Sequence, residues 1–226
     1  MLELIKSENK KIGVLADIGC DHAYVPIAAI LSGLCDRAVA CDVRPGPLMI
    51  AKTNIAAHSL SERIVNRLGD GLEPLGQDEL ECVVIAGIGG INIADMLWRS
   101  IEAAESAGRL ILQPQRDAPE FRRRLHQMGF SIEDEILSRE GGRFYTALRA
   151  KRGKTDAAWD EIDYLLGKHI IKRGGQTFRA FVSNEAAKFE RIRTQILDGK
   201  NALPNESDKT VRDIEAKLCL LRRFTE

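Results

Sequence analysis

The stretch "VLADIGCDHAYVP" (residues 14–26) carries an apolar run into Asp17, turns at Gly19, and sets Asp21 and His22 where a glycine-rich loop would be expected. A strand that ends on a glycine and leads into the helical pattern "AYVPIAAILSG" (23–33) is half of a nucleotide-binding turn. Gly19 lets the backbone turn close under a ligand, Ala23 keeps the helix start near it, and Pro26 is tolerated inside the first helical turn. What departs from a phosphate-binding loop is the pair of acids.

The same rhythm continues downstream. Strand candidates are 13–19, "RAVACDV" (37–43), "RIVNRLGD" (63–70), "CVVIAG" (82–87) and "RLILQP" (109–114). Between them lie helical patterns over 23–33, 46–60, 92–108 and 118–129, each closed by Gly or Ser. Strand and helix in alternation predict an α/β fold with a mostly parallel, Rossmann-like sheet. "FSIEDEILSREGGRFYTALRA" (130–150) breaks the alternation, because it reads as strand, Gly-Gly turn, strand with no helix between. An antiparallel hairpin closing a parallel sheet suits the S-adenosylmethionine-dependent methyltransferases, whereas dinucleotide-binding Rossmann sheets continue in parallel.

Beyond "AKRGKTDAAWDE" (150–161) the chain becomes wholly helical. Phe178, Val182, Phe189, Ile192 and Ile196 follow a 3/4 spacing; "DGKNALPNESD" (198–208) interrupts it, and Val211, Ile214, Leu218 and Leu221 resume it. Two helices sharing one apolar seam predict an antiparallel coiled-coil hairpin. The expected domains are therefore 1–152, binding S-adenosylmethionine, and 153–226, the helical coiled coil.

Charge follows the same division. The 226-residue chain is neutral overall, yet residues 1–150 carry 17 basic and 21 acidic side chains while residues 151–226 carry 16 and 12. A basic C-terminal third fits either a solvated helical surface or a polyanionic partner. The cysteines number five, contain no CxxC and mostly adjoin apolar residues, which reads as reduced core thiols. The four histidines have no second ligand at metal spacing, so no metal is expected. No run of about 18 apolar residues and no secretory leader is found, so the expectation is a soluble, cytoplasmic protein without a membrane partner.

The acids at the strand ends narrow the ligand. Asp17 and Asp21 would repel a pyrophosphate but suit the ammonium and sulfonium of S-adenosylmethionine. Asp42, followed by Val43, ends the second strand, where a carboxylate accepts from ribose hydroxyls in either cofactor class. Asp70 and Gly71 in "GDG" (69–71) end the third, where an acid can receive the adenine amino group. Taken singly, Asp21 is also readable as a helix N-cap and Asp17 as a loop organiser. The loop "IAGIGG" (85–90) places Ala86, Gly87, Ile88, Gly89 and Gly90 after the fourth strand, with space for a flat base or simply a tight turn. Gln113 and Pro114 close the fifth strand and are candidates for contact with the substrate, Gln113 able to accept or donate.

"ADIGCDHAYVPIA", "IVNRLGDGLEPL", "VVIAGIGGINIADML", "LILQPQ" and "FYTALRA", followed by a helical hairpin, resemble the bacterial tRNA (adenine(22)-N(1))-methyltransferase (TrmK) family over nearly the whole chain. The resemblance implies a class I methyltransferase fold, S-adenosylmethionine as cofactor and an adenine of the tRNA D-arm as substrate. It also implies that Asp17, Gly19, Cys20, Asp21, His22, Asp42, Asp70, Gly71 and the Gly87–Gly90 loop bound the pocket. Cys20 stands where the family often has Ser or Thr, and "MLELIKSENKK" before the first strand is shorter than the family's segment and lacks its Arg.

Adenine N1 has a lone pair and no proton, so attack on a sulfonium methyl needs positioning rather than a strong base. Asp21, with Tyr24 or His22, is the candidate group for steering the adenine. Arg179, Lys188, Arg191, Arg193, Lys209 and Arg212 on the helical hairpin are candidates for tRNA phosphates. The oligomeric state is left open by the sequence, with a monomer favoured. Rival readings remain: methylation of another RNA, a protein or a small molecule with the hairpin as a dimer interface, an NAD-dependent oxidoreductase, or a non-enzymatic RNA-binding protein.

Overall fold

A computed structural model describes residues 1–6, 11–153, 158–198 and 204–224. The chain divides into two compact units: Met1–Ile136 with Tyr145–Ala158, and Leu137–Phe144 with Trp159–Glu226.

The first unit is built on a sheet of seven strands among the described residues, in the order β3-β2-β1-β4-β5-β7-β6. These are β1 (Ile12–Ile18), β2 (Cys35–Asp42), β3 (Ile64–Leu68), β4 (Cys82–Ile88), β5 (Leu110–Pro114), β6 (Phe130–Glu140) and β7 (Arg143–Arg152), the distal ends of the last two counting with the second unit. β1 to β5 pair in parallel and β7 pairs antiparallel with β5. The expected closing hairpin is therefore present, with its second strand inserted between β5 and β6. Gly141 (φ 54°) and Gly142 (φ 80°) supply the two positive-φ residues that a two-residue hairpin turn requires.

Central strands read as continuous apolar runs because helices cover both faces of a parallel sheet. Leu15, Ala40, Cys82, Val84 and Ile111 are accordingly buried in one core with Ile27 and Ile30 of α2 (Tyr24–Leu31) and Ala51 and Ile55 of α3 (Pro45–Ala57). The segment 92–108, read as one helix, is two: α4 (Gly90–Arg99) and α5 (Ile101–Ser106). Ser100, at φ −114° and ψ 43°, ends the first and begins the second, a position that suits a residue whose side chain competes with helical backbone. Before β1, the short helix α1 (Leu2–Ile5) buries Leu4 and Ile5, an element the apolar pattern alone did not flag. The helix α6 (Ala118–Gln127) is fastened to β6 by the buried Arg122–Glu135 ion pair, 2.6 Å from Nε to Oε1.

The second unit holds α7 (Glu161–Leu166), α8 (Lys168–Arg173), α9 (Gly175–Asp198) and α10 (Pro204–Arg222). Phe178 lies 5.4 Å from Phe224 and the Lys217 ammonium 5.3 Å from the Phe189 ring, so α9 and α10 run antiparallel. Phe178, Val182, Ile214, Leu218 and Leu221 of the expected seam are buried, while Phe189, Ile192, Ile196 and Val211 are half-buried. Residues 199–203 of the interrupting segment lie outside the described residues. Among the described residues no helix is long and apolar enough to cross a membrane.

Candidate active site

A cavity of about 570 Å³ opens at the C-terminal ends of β1, β2 and β4 and the loop after β3. That is where an open α/β sheet binds ligands, and the size lies within the range of small-molecule sites, roughly 300–1,000 Å³. Its walls carry nine of the sequence candidates: Gly19, Asp21, Asp42, Val43, Asp70, Gly71, Ala86, Gly87 and Ile88. Gly19 sits at φ 71° with open space where a Cβ would project, so the turn leaves room for a ligand. The turn is tied to its neighbours by backbone bonds, Cys20 N–H to the Cys41 carbonyl (2.9 Å) and Gly69 N–H to the Asp42 carbonyl (3.1 Å).

Two carboxylates, Asp17 and Asp42, are each only 4% exposed. Asp42 accepts from the Arg44 N–H at 2.9 Å and the Asp21 N–H at 3.4 Å, with the Arg44 guanidinium 3.6 Å away. Asp17 is buried beneath the cavity rather than on its wall. Burial, and then the charge of Asp42, push its carboxyl up to about 7. Cys20 is likewise off the wall and buried; burial first, then Asp17 and Asp42, push its thiol up to about 12, which makes it inert as a nucleophile. An acidic floor of this kind favours a cation and disfavours a pyrophosphate.

The turn after β1 gives Asp21, His22 and Tyr24 different settings. Asp21 adopts φ 49° and Ala23 φ 58°, and Ala23 rather than Asp21 occupies the N-cap of α2, so Asp21 is left free of a capping role. The Asp21 carboxylate lies 3.2 Å from His22 Nε2, and the His22 and Tyr24 rings stack at 5.4 Å and 34°. Asn54 Nδ2 donates to the His22 carbonyl at 3.0 Å and steadies the turn from α3. Tyr24 is 65% exposed, an unusual setting for an aromatic ring beside an acid-lined cavity.

The glycines after β4 divide by purpose. Gly87, at φ 80°, lines the cavity, but Gly89 and Gly90 do not. A Cβ on Gly90 would stand 2.7 Å from Phe121 Cβ and 3.0 Å from the Arg116 carbonyl, to which its N–H donates, so this glycine serves close packing of α4 on the loop after β5. Gln113, expected to face substrate, instead accepts from the Gly87 N–H at 3.0 Å, while Gln115 lines the cavity in its place. Pro114 ends β5 and is buried off the cavity wall. Arg44, Met96 and Gln115 line the cavity without having been singled out in sequence, because each arrives by the packing of a different loop or helix.

In the helical unit Arg179 and Arg191 are exposed, Lys188 lies 3.6 Å from Glu185, and Arg193 pairs with Glu190 at 2.7 Å. Lys209 and Arg212 are exposed on α10. No cluster of three or more His, Cys, Asp or Glu suited to a metal ion occurs among the described residues.

The family model described as tRNA (adenine(22)-N(1))-methyltransferase matches residues 15–217. The tRNA (adenine(22)-N(1))-methyltransferase of Bacillus subtilis is 32% identical over 217 residues, covering 94% of this chain and 90% of the relative. The crystal structure of the B. subtilis m1A22 tRNA methyltransferase TrmK superposes with a TM-score of 0.86 at 28% identity, covering 100% of this chain and 97% of that one. A candidate tRNA (m1A22) methyltransferase of Streptococcus pneumoniae, in complex with S-adenosyl-L-methionine, gives a TM-score of 0.84 at 30% identity, with coverage of 100% and 98%.

Proposed function

The chain belongs to the tRNA (adenine(22)-N(1))-methyltransferase family, and from that premise we propose that it moves the methyl group of S-adenosylmethionine to N1 of adenine 22 in the tRNA D-arm. The observation that carries this reading onto these residues is the cavity itself, in which carboxylates stand at the ends of successive parallel strands over a floor that suits a cation.

When bound, the cofactor supplies an electrophilic methyl on a positively charged sulfur. Asp42 is proposed to accept from both ribose hydroxyls, being held in place by the Arg44 N–H. Asp70 is proposed to accept from the adenine amino group, and Gly19 and Gly87 to let backbone close against the ligand. Asp17, one layer deeper, adds negative potential when ionised.

Neutral adenine N1 needs no base, so the task left to the protein is alignment and charge management. A base in folded tRNA must be extruded to reach such a cavity. Tyr24 offers an exposed ring on which an extruded base can stack, and Asp21, turned by His22, offers an acceptor for the base's amino hydrogens. Arg179, Lys188, Arg191 and Arg193 are proposed to hold tRNA phosphates, since exposed ion pairs such as those with Glu185 and Glu190 separate at little cost. The reading takes the chain as two domains, 1–152 and 153–226, acting as a monomer in the cytoplasm, where tRNA is found.

Methyl transfer from labelled S-adenosylmethionine to tRNA, followed by digestion to nucleosides, tests the proposal. Label in 1-methyladenosine at position 22 is expected; label in guanosine, or none, would overturn it.

A further inference from the structure

Arg99 is the last residue of α4, and its Nη2 lies 3.2 Å from Oδ2 and 3.4 Å from Oδ1 of Asp70, across 29 residues of sequence. One turn earlier on the same helix, Met96 lines the cavity and stands where a Cβ on Gly71 would come within 2.8 Å of its Cγ. Residues three apart share a helix face. α4, which itself begins at the loop after β4, therefore braces the Asp70–Gly71 loop at the end of β3 with two side chains, one apolar and one cationic.

We propose that Arg99 is a positioning residue that sets the cofactor's purine specificity by orienting the Asp70 carboxylate. The inference rests on the reading of Asp70 as the acceptor for the adenine amino group. A guanidinium beside both carboxylate oxygens limits rotation of the group, so its remaining lone pairs stay aimed at a donor in the cavity. An exocyclic amine donates to such a carboxylate. A 6-oxo purine puts an acceptor oxygen against it and is repelled, so the better the carboxylate is held, the sharper the discrimination. Arg99 and Asp70 are 61% and 47% exposed, which makes this a modulating contact whose removal changes binding on the order of two- to fivefold.

The test is calorimetric titration of the full chain with S-adenosylhomocysteine and with S-inosylhomocysteine, its 6-oxo analogue, for wild type, Arg99→Ala and Arg99→Lys. Wild type is expected to prefer the amine. Arg99→Ala should lose two- to fivefold for S-adenosylhomocysteine and nothing for the 6-oxo analogue, while Arg99→Lys retains most of the preference. In turnover with tRNA, Arg99→Ala should raise KM for S-adenosylmethionine by the same factor at unchanged kcat. Equal weakening toward both ligands would assign Arg99 a merely structural part and overturn the proposal, as would unchanged affinity for S-adenosylhomocysteine. A wild type that does not distinguish the two ligands would instead sink the reading of Asp70 itself, and this inference with it.

Discussion

Replacing Asp17 by Asn should stabilise the protein, and by an amount that grows with pH. Asp17 is 4% exposed and faces Asp42, also 4% exposed; burial and the neighbouring charge hold its carboxyl at about 7 against an ordinary 3.8. Between those values the folded state keeps a proton that the unfolded chain releases, so stability falls as pH rises through that window. At 1.36 kcal/mol per pH unit the interval corresponds to about 4 kcal/mol lost by pH 8, of which about 1–2 kcal/mol is already lost at pH 5. Asn has nearly the same shape and no charge to bury, so its advantage over Asp17 should be about 3 kcal/mol larger at pH 8 than at pH 5. Urea unfolding of both proteins at the two pH values measures this directly. An Asn variant whose stability relative to wild type is the same at pH 5 and pH 8 would refute the assignment of a costly buried charge. Such a cost makes sense where the charge serves a cation, and Asp17→Asn should accordingly bind S-adenosylmethionine more weakly at pH 8 while binding uncharged-sulfur S-adenosylhomocysteine with a smaller loss.

Arg122→Leu should destabilise the first unit by about 3–5 kcal/mol, because it removes the guanidinium that balances the buried Glu135 carboxylate, both side chains being 1% exposed. At roughly 2–4 °C per kcal/mol the melting temperature drops by about 6–20 °C, and the double replacement Arg122→Leu/Glu135→Leu should recover most of that loss; a double variant no better than the single one would contradict the account. Asp42→Asn should weaken S-adenosylhomocysteine binding about 10- to 100-fold, since hydrogen bonds to a charged acceptor contribute about 1.5–3 kcal/mol, and an unchanged Kd in titration calorimetry would remove Asp42 from the ribose site.

The mostly parallel sheet was legible because its strands are written as short apolar runs closed by Gly or an acid, and periodicity is local. The closing hairpin was equally legible, since Gly141 and Gly142 supply the backbone conformations its turn needs. Asp42, Asp70 and Gly19 stood out for the same reason: in an α/β chain the position just past a strand is a position at the site. Helix ends were less readable. Ser100 divides a segment whose apolar pattern runs on without a break, and Ala23, with no side-chain oxygen, takes the cap that was the alternative reading of Asp21.

What the sequence by itself determined is the order of the elements, the acid-bearing strand ends and the family to which the chain belongs. What only the tertiary structure decided is the direction in which those groups work. Gln113 turns back to hold Gly87 while Gln115 lines the cavity, Asp17 lies beneath the cavity while Asp21 stands on its wall, and Arg99 meets Asp70 from a helix 29 residues away. The physical reason is that a strand end fixes where a residue lies through backbone pairing, which local sequence encodes. Which atoms a side chain meets there depends on loops and helices packed from elsewhere in the chain, and on how deeply that packing removes each charge from water.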